Sequence, residues 1–337
     1  MMRGTRALPL AAALLTGLAA GAQEPPAPPA LPFPQAWQAG AAPAPAGIIP
    51  GTPPDPSADL AYGAYQRGHY LEAFREATKR IEANPDDSAA MTLLGEIIAG
   101  GLGVPIDQAK AVSWYRIASQ RGDRNATFAL AMMTLRGEGT DKDEAKGLAL
   151  LEDAAKAGHP AAAYNLGLAA VTKGDDTRAA MLFRQAAEAG EAAAQHALAS
   201  LLRTGRGGPR DAFEAAAWMK RSAEAFYEPA EIEYAIMLFN GEGTTKDPAR
   251  AAGLFLRAAS RGNPIAQNRL ARLRVVGIGV IRDLNDAAAW HALAKAAGRD
   301  DPWLDSALAG LTDEERRKAT ELATERLRAF QMGLTSP

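Results

Sequence analysis

Residues 90–122 read AMTLLGEIIAGGLGVPIDQAKAVSWYRIASQRG, and this stretch decides the fold because its features return along the chain. An alanine stands at 90, a large residue at 94 and a small one at 95. The same steps recur as Ala126, Leu130 and Ala131, as Ala162, Leu166 and Gly167, and as Ala194, Leu198 and Ala199. Ala230, Tyr234 and Ala235, then Ala266, Leu270 and Ala271, continue the series. The i, i+4 spacing puts these residues on one helix face, and the small residue admits a neighbouring helix closely. A Gly-x-Gly step follows at 101/103, 137/139, 205/207, 241/243 and 277/279. Glycine adopts positive φ cheaply, as a helix end and a tight turn require. Without a preceding strand or a following Gly-Lys-Ser/Thr, this step does not read as a phosphate loop.

An aspartate then opens a second helix in every unit: Asp107, Asp143, Asp175, Asp211, Asp247 and Asp283. Its carboxylate suits the unpaired N–H groups of a helix start, so the six acids read as caps rather than as a metal ladder. The second helix carries a large pair: Trp114-Tyr115, Leu150-Leu151, Leu182-Phe183, Trp218-Met219, Leu254-Phe255 and Trp290-His291. From 114 to 150, 218 to 254 and 254 to 290 the interval is 36 residues, while from 150 to 182 it is 32. A fixed period of this size means stacked repeats. The units are 88–123, 124–159, 160–191, 192–227, 228–263 and 264–299. The third is short because Lys173-Gly174-Asp175 replaces the Gly-x-Gly turn. A closing glycine stands at 122, 158, 190, 262 and 298, but Phe226 occupies that place in the fourth unit.

These residues resemble the Sel-one-like repeat family, a relative of the tetratricopeptide repeats. Ala90, Leu94-Gly95, Gly101-Leu102-Gly103-Val104, Asp107, Lys110-Ala111, Trp114-Tyr115, Ala118 and Gly122 carry the resemblance, in register through 88–299. Ala61, Gly68, Tyr70, Ala73 and Pro85, in 58–87, are similar to a plain tetratricopeptide unit. The resemblance implies an all-α fold, a right-handed α/α solenoid of helix-turn-helix repeats. It also implies an interaction scaffold; exported bacterial members act as adaptors or as negative regulators of envelope sensor kinases. Some cysteine-rich members are linked to β-lactam binding or hydrolysis, but this chain has no cysteine and that activity is not carried over. After the repeats, 300–332 reads as a C-terminal cap, with Thr312 and Glu315 as a capping box.

The first 22 residues read as a signal peptide: Arg3 and Arg6, an apolar run from Leu8 to Ala19, and Ala20-Gly21-Ala22 before Gln23. The apolar run is short for a bilayer of about 30 Å, so cleavage is expected and stable membrane insertion is not. Residues 23–57 are rich in Pro and Ala and read as a disordered linker, a spacer rather than a proline-motif ligand. The mature protein is therefore expected in the periplasm or secreted, held together by packing without disulfides.

Across 337 residues the net charge is −2, so nothing points to nucleic acid. His69, His159, His196 and His291 form no close ligand pair, and there is no G-x-S-x-G or S-x-x-K motif. No cofactor, metal or catalytic residue is expected. A second reading, an envelope hydrolase acting on peptidoglycan or β-lactam, would need Ser200 beside a lysine and His196 in a closed pocket.

A partner face is expected one position beyond the alanine–leucine stripe, which lines the concave side in related stacks. Its residues are Phe128, Met132, Tyr164, Leu168, His196, Arg203, Ile232, Ile236, Phe239 and Arg272. Two readings stay open: a groove for an apolar protein or peptide segment, or side chains packed against the next helix. Neither the partner nor the oligomeric state is legible.

Overall fold

The computed structural model describes residues 59–332; the leader 1–22, the linker 23–57 and residues 333–337 lie outside the described residues. Sixteen helices and no strand occur among the described residues. Helices α1 (Leu60–Gln66) and α2 (Tyr70–Ala83) precede the repeats. The repeat helices are α3 (Ser88–Gly100), α4 (Gln108–Gln120), α5 (Arg124–Arg136), α6 (Glu144–Lys156), α7 (Pro160–Thr172) and α8 (Asp176–Glu188). They continue as α9 (Ala192–Thr204), α10 (Ala212–Glu224), α11 (Glu228–Asn240), α12 (Pro248–Ser260), α13 (Pro264–Val276) and α14 (Leu284–Ala296). Two helices follow, α15 (Pro302–Ala307) and α16 (Asp313–Gln331). Each helix from α3 to α14 has 13 residues and is therefore ~20 Å long. The fold is an α/α solenoid of packed helix-turn-helix pairs.

The chain forms two compact units: one of residues 59–198 with 206–208, the other of 199–205 with 209–332. In the first, Met91, Ile98, Val112, Tyr115, Leu130 and Met133 form a core with Ala111, Ala118, Ala126 and Ala129. Small residues make this possible. A Cβ on Gly95 would stand 2.6 Å from the Tyr115 ring, and one on Gly167 would stand 2.5 Å from the Phe183 ring. The close approach thus receives the aromatic ring of the same repeat's second helix. In five of the six large pairs the deeper residue is the second; in the sixth, Trp290 at 3% exposure lies slightly deeper than His291 at 6%. Tyr115, Leu151, Phe183, Met219 and Phe255 are at most 2% exposed, whereas Trp114, Leu150, Leu182 and Leu254 are half-buried.

The caps form as expected. Asp107, Asp143, Asp175, Asp211, Asp247 and Asp283 each accept from the backbone N–H three residues on, at 2.8–3.0 Å. Each such bond stabilises its helix by about 1 kcal/mol. The deletion in the third unit falls wholly in the turn. Three residues, 173–175, join α7 to α8, against seven, 137–143, between α5 and α6.

In the second unit α16 packs along α14. Arg326 lies 3.9 Å above the Trp290 ring and pairs with Asp286, which Arg274 also reaches at 2.6 Å. The Thr312–Glu315 capping box is formed at the start of α16.

The closing glycines have φ of 80–91°, and Phe226 adopts the same conformation at φ 61°. A bulky side chain there costs about 1–2 kcal/mol relative to glycine. Phe226 is 61% exposed and contacts the Arg257 guanidinium, 4.9 Å from its ring centre. That contact at an exposed site is worth about 0.5–1 kcal/mol. Phe226→Gly is therefore expected to raise the melting temperature slightly, by about 0.5–1 kcal/mol of stability. A lower melting temperature would show that the ring is held by more than Arg257.

Candidate interaction surface

The first helices α5, α7, α9, α11 and α13 carry the expected partner residues, and the two units present them separately. In the first unit Phe128 is 6% and Tyr164 8% exposed. The Phe128 ring stacks on His159 at 4.3 Å, and Tyr164 meets Phe183 at 5.7 Å. One turn on, Met132 and Leu168 are half-buried, as is His196. In the second unit Ile232 and Phe239 are buried, and Ile236, Arg203 and Arg272 are half-buried. Arg203 pairs with Glu233 at 3.2 Å. Arg272 bonds Asp301 through Nε at 2.6 Å and Nη2 at 2.8 Å, and Asn268 donates to the same carboxylate at 2.7 Å. The row is thus two layers: buried Phe128, Tyr164, Ile232 and Phe239, and half-buried side chains that solvent touches.

His159 shows how the deeper layer is built. Its Nδ1 accepts from the Ala162 N–H at 3.2 Å and so caps α7, while its ring covers Phe128. Burial first, and the nearby Arg124 second, push its pKa down to about 4. The folded state therefore holds it neutral, and this contribution is present above pH ~6.5 and lost as pH falls through 4.

Asp301 caps α15, accepting from the N–H groups of Trp303 at 3.1 Å and Leu304 at 3.2 Å. Burial opposes its ionisation, but the Arg272 and Asn268 hydrogen bonds outweigh that and hold its pKa at about 2. Arg269, 5% exposed, is pushed down to about 10 by burial first and then by Arg272 and Arg299. The polar end of the row in the second unit is organised by this cap.

The sequence reading left Glu96 out of the partner face, although it occupies the position equivalent to Met132. It lies half-buried on α3, and the Tyr65 hydroxyl donates to it. Burial pushes its pKa up to about 8, with Asp123 adding to the rise and the Tyr65 bond opposing it. The buried Tyr115 hydroxyl is pushed upward as well, by burial and then by Glu96 and Tyr65. A raised carboxyl favours the folded state while protonated, so its contribution is complete below pH ~4.5 and lost as pH rises through 8. Between pH 7 and 8, where His159 is already mostly neutral in both states, stability is expected to fall by about 1 kcal/mol. Glu96→Gln is expected to flatten this limb in urea unfolding at the two pH values. An unchanged slope would assign the effect elsewhere.

Among the described residues no group of three or more His, Asp or Glu side chains could hold a metal ion. No helix among them is long and apolar enough to cross a membrane.

The family model for the Sel1 repeat matches residues 88–123, 124–159, 160–191, 192–225, 229–263 and 264–298. Among solved structures, a Sel1 repeat protein from Oxalobacter formigenes is 23% identical, with 73% of this chain and 98% of that one covered and a TM-score of 0.57. A protective antigen of uropathogenic Escherichia coli strains, displaying an SLR fold, is 24% identical, with 80% of this chain and 68% of that one covered and a TM-score of 0.50. Both likenesses concern the fold. No curated protein matches the chain.

Proposed function

The chain belongs to the Sel1 repeat family, and we propose that it is a non-catalytic scaffold or adaptor of the cell envelope, a regulator of a signalling or assembly complex there. Repeats of this family generally mediate protein–protein interaction and are typically non-catalytic. The observation that carries the reading is the two-layered row. Buried Phe128 and Tyr164 hold α5 and α7, and half-buried Met132 and Leu168 lie beside them at equivalent positions of adjacent repeats. An apolar peptide or helix that covered these side chains would remove further apolar area from water, at about 25 cal/mol per Å² before the costs of association. In the second unit Ile236 has the same role, on a support of Ile232 and Phe239, with Arg203 and Arg272 as polar flanks.

Photo-crosslinking side chains at 132 and 168 in cells test the reading directly. An envelope protein captured at both positions, but not at exposed Asp153 on α6, is the expected result. Equal capture at all three would refute a specific face. Envelope location rests on the leader pattern Arg3, Arg6 and Leu8–Ala19 with Ala20-Gly21-Ala22. The mature periplasmic protein is expected to begin at Gln23. A protein retained in the cytoplasm and beginning at its first residues would remove the envelope role and leave the scaffold.

A further inference from the structure

Helix α16 is held to the second unit far more lightly than the helix it covers. Of its 19 residues only Ala319 is buried. Its inward face continues as Leu322, Ala323, Arg326, Ala329 and Phe330, all half-buried. On α14, by contrast, Trp290, Leu293 and Ala294 are buried along with Asp286, Ala287 and Ala289. The outward residues of α16 pair within the helix, Lys318 with Glu314 at 2.9 Å and Arg317 with Glu321 at 3.9 Å. Those pairs, with the capping box, hold the helix together and do not fasten it to α14.

Arg326 ties α16 to α14. Its guanidinium lies 3.9 Å from the centre of the Trp290 ring and pairs with Asp286. Arg274 reaches the same carboxylate at 2.6 Å, so the acid keeps a cation when Arg326 leaves. The closed contact is incompletely satisfied. Trp290 Nε1 and Arg326 Nη1 are buried with no hydrogen-bond partner among the described residues, and each such atom is unfavourable. Toward the start of α16 a hollow of about 320 Å³ lies between Ala288 and Ala292 of α14 and Ala319 and Thr320 of α16. Side chains around unfilled volume lose the dispersion contacts that close packing would give.

The segment before α16 is anchored differently. Leu304, Leu308 and Leu311 are at most 8% exposed. Asp305 Oδ1 lies 2.9 Å from His291 Nε2 of α14 and accepts from Lys295 Nζ at 3.0 Å. The change from anchored to lightly held chain falls at Thr312. We infer that α16 is a releasable strap, which leaves α14 as a unit, pivoting at Thr312, while α15 and the repeats stay folded. Release uncovers Trp290 and Asp286 at the end of the repeat stack, so α16 gates access to that end. The strap does not depend on the adaptor reading.

Hydrogen exchange of the full chain, read peptide by peptide by mass spectrometry, tests it. A released helix of 19 residues is only marginally stable in water, so its amides exchange. Amides of α16 are expected to exchange at least about tenfold faster than those of α14, at one rate over both halves of the helix. Arg326→Ala should speed α16 by about a further tenfold and leave α13 unchanged. Thr320→Leu, which fills the hollow from the strap side, should slow it. Exchange of α16 no faster than that of α14, a rate graded from its C-terminal end as fraying gives, or α16 exchange unchanged by both substitutions would overturn the proposal.

Discussion

Gly243→Ala is expected to destabilise the second unit by about 3–5 kcal/mol, whereas Gly241→Ala, two residues away in the same turn, costs about 1–2 kcal/mol. Both glycines have positive φ, 77° at Gly241 and 64° at Gly243, so both substitutions strain the backbone. The difference lies in what a methyl group would meet. At Gly241 it would stand 3.3 Å from the Lys246 Cβ. At Gly243 it would overlap the Ala212 carbonyl oxygen, with the carbonyl carbon 2.5 Å away and the Phe213 nitrogen 3.2 Å away. Those atoms belong to the start of α10, in the preceding repeat, and are backbone that cannot rotate aside.

The second glycine of each turn is thus a contact point between repeats. Gly139 meets Gln108, Gly207 meets Asp176 and Gly279 meets Pro248 in the same way. Urea unfolding of the two variants separates the roles. Equal losses would mean that only positive φ matters at this turn.

Removing Arg257 and Arg261 together is expected to cost about 3–5 kcal/mol, one of the largest effects available outside the hydrophobic core. Both pair with Glu231, which is 0% exposed at the start of α11; the Arg257 Nε lies 2.8 Å from Oε1, and Arg261 reaches Oε2. Arg257 stands in the last turn of α12 and Arg261 is the residue that caps its C-terminus, with side chains 26% and 30% exposed. Deleting them leaves a desolvated carboxylate, while deleting the acid leaves two guanidinium groups that reach water. Glu231→Gln should accordingly cost less, about 1–2 kcal/mol. Denaturant unfolding of the double arginine variant and of Glu231→Gln checks the asymmetry. A Glu231→Gln loss equal to that of the double variant would place the stabilisation in the arginines' own packing.

Much of the architecture was legible because it is local and periodic. A cap involves residues three apart, and a helix face is set by spacing of three and four. The aspartates therefore read as caps before any coordinates, and each makes the expected bond. The short third unit was equally readable, since helices of constant length force a deletion into the turn. Size does not rank the members of the large pairs: in five of the six the second is the deeper residue, and only Trp290 lies deeper than its partner. That choice depends on the direction from which Gly95 or Gly167 meets the second helix, which no spacing within one helix specifies.

The row of expected partner residues shows the same boundary. Its register follows from the helix period, but the exposure of each member depends on the neighbour across from it. Phe128 lies against His159 and Tyr164 against Phe183, at ring distances of 4.3 and 5.7 Å. Met132 and Leu168 are only half covered.

By itself the sequence determined the repeat, its helix-turn-helix form, its caps and its family, because each follows from short-range spacing or from its return along the chain. Tertiary structure decided the burial of Glu231, the contact at Gly243 and the meeting of His291 with Asp305. Those depend on side chains and backbone brought together from separate helices, where desolvation and close approach act only after the helices have packed.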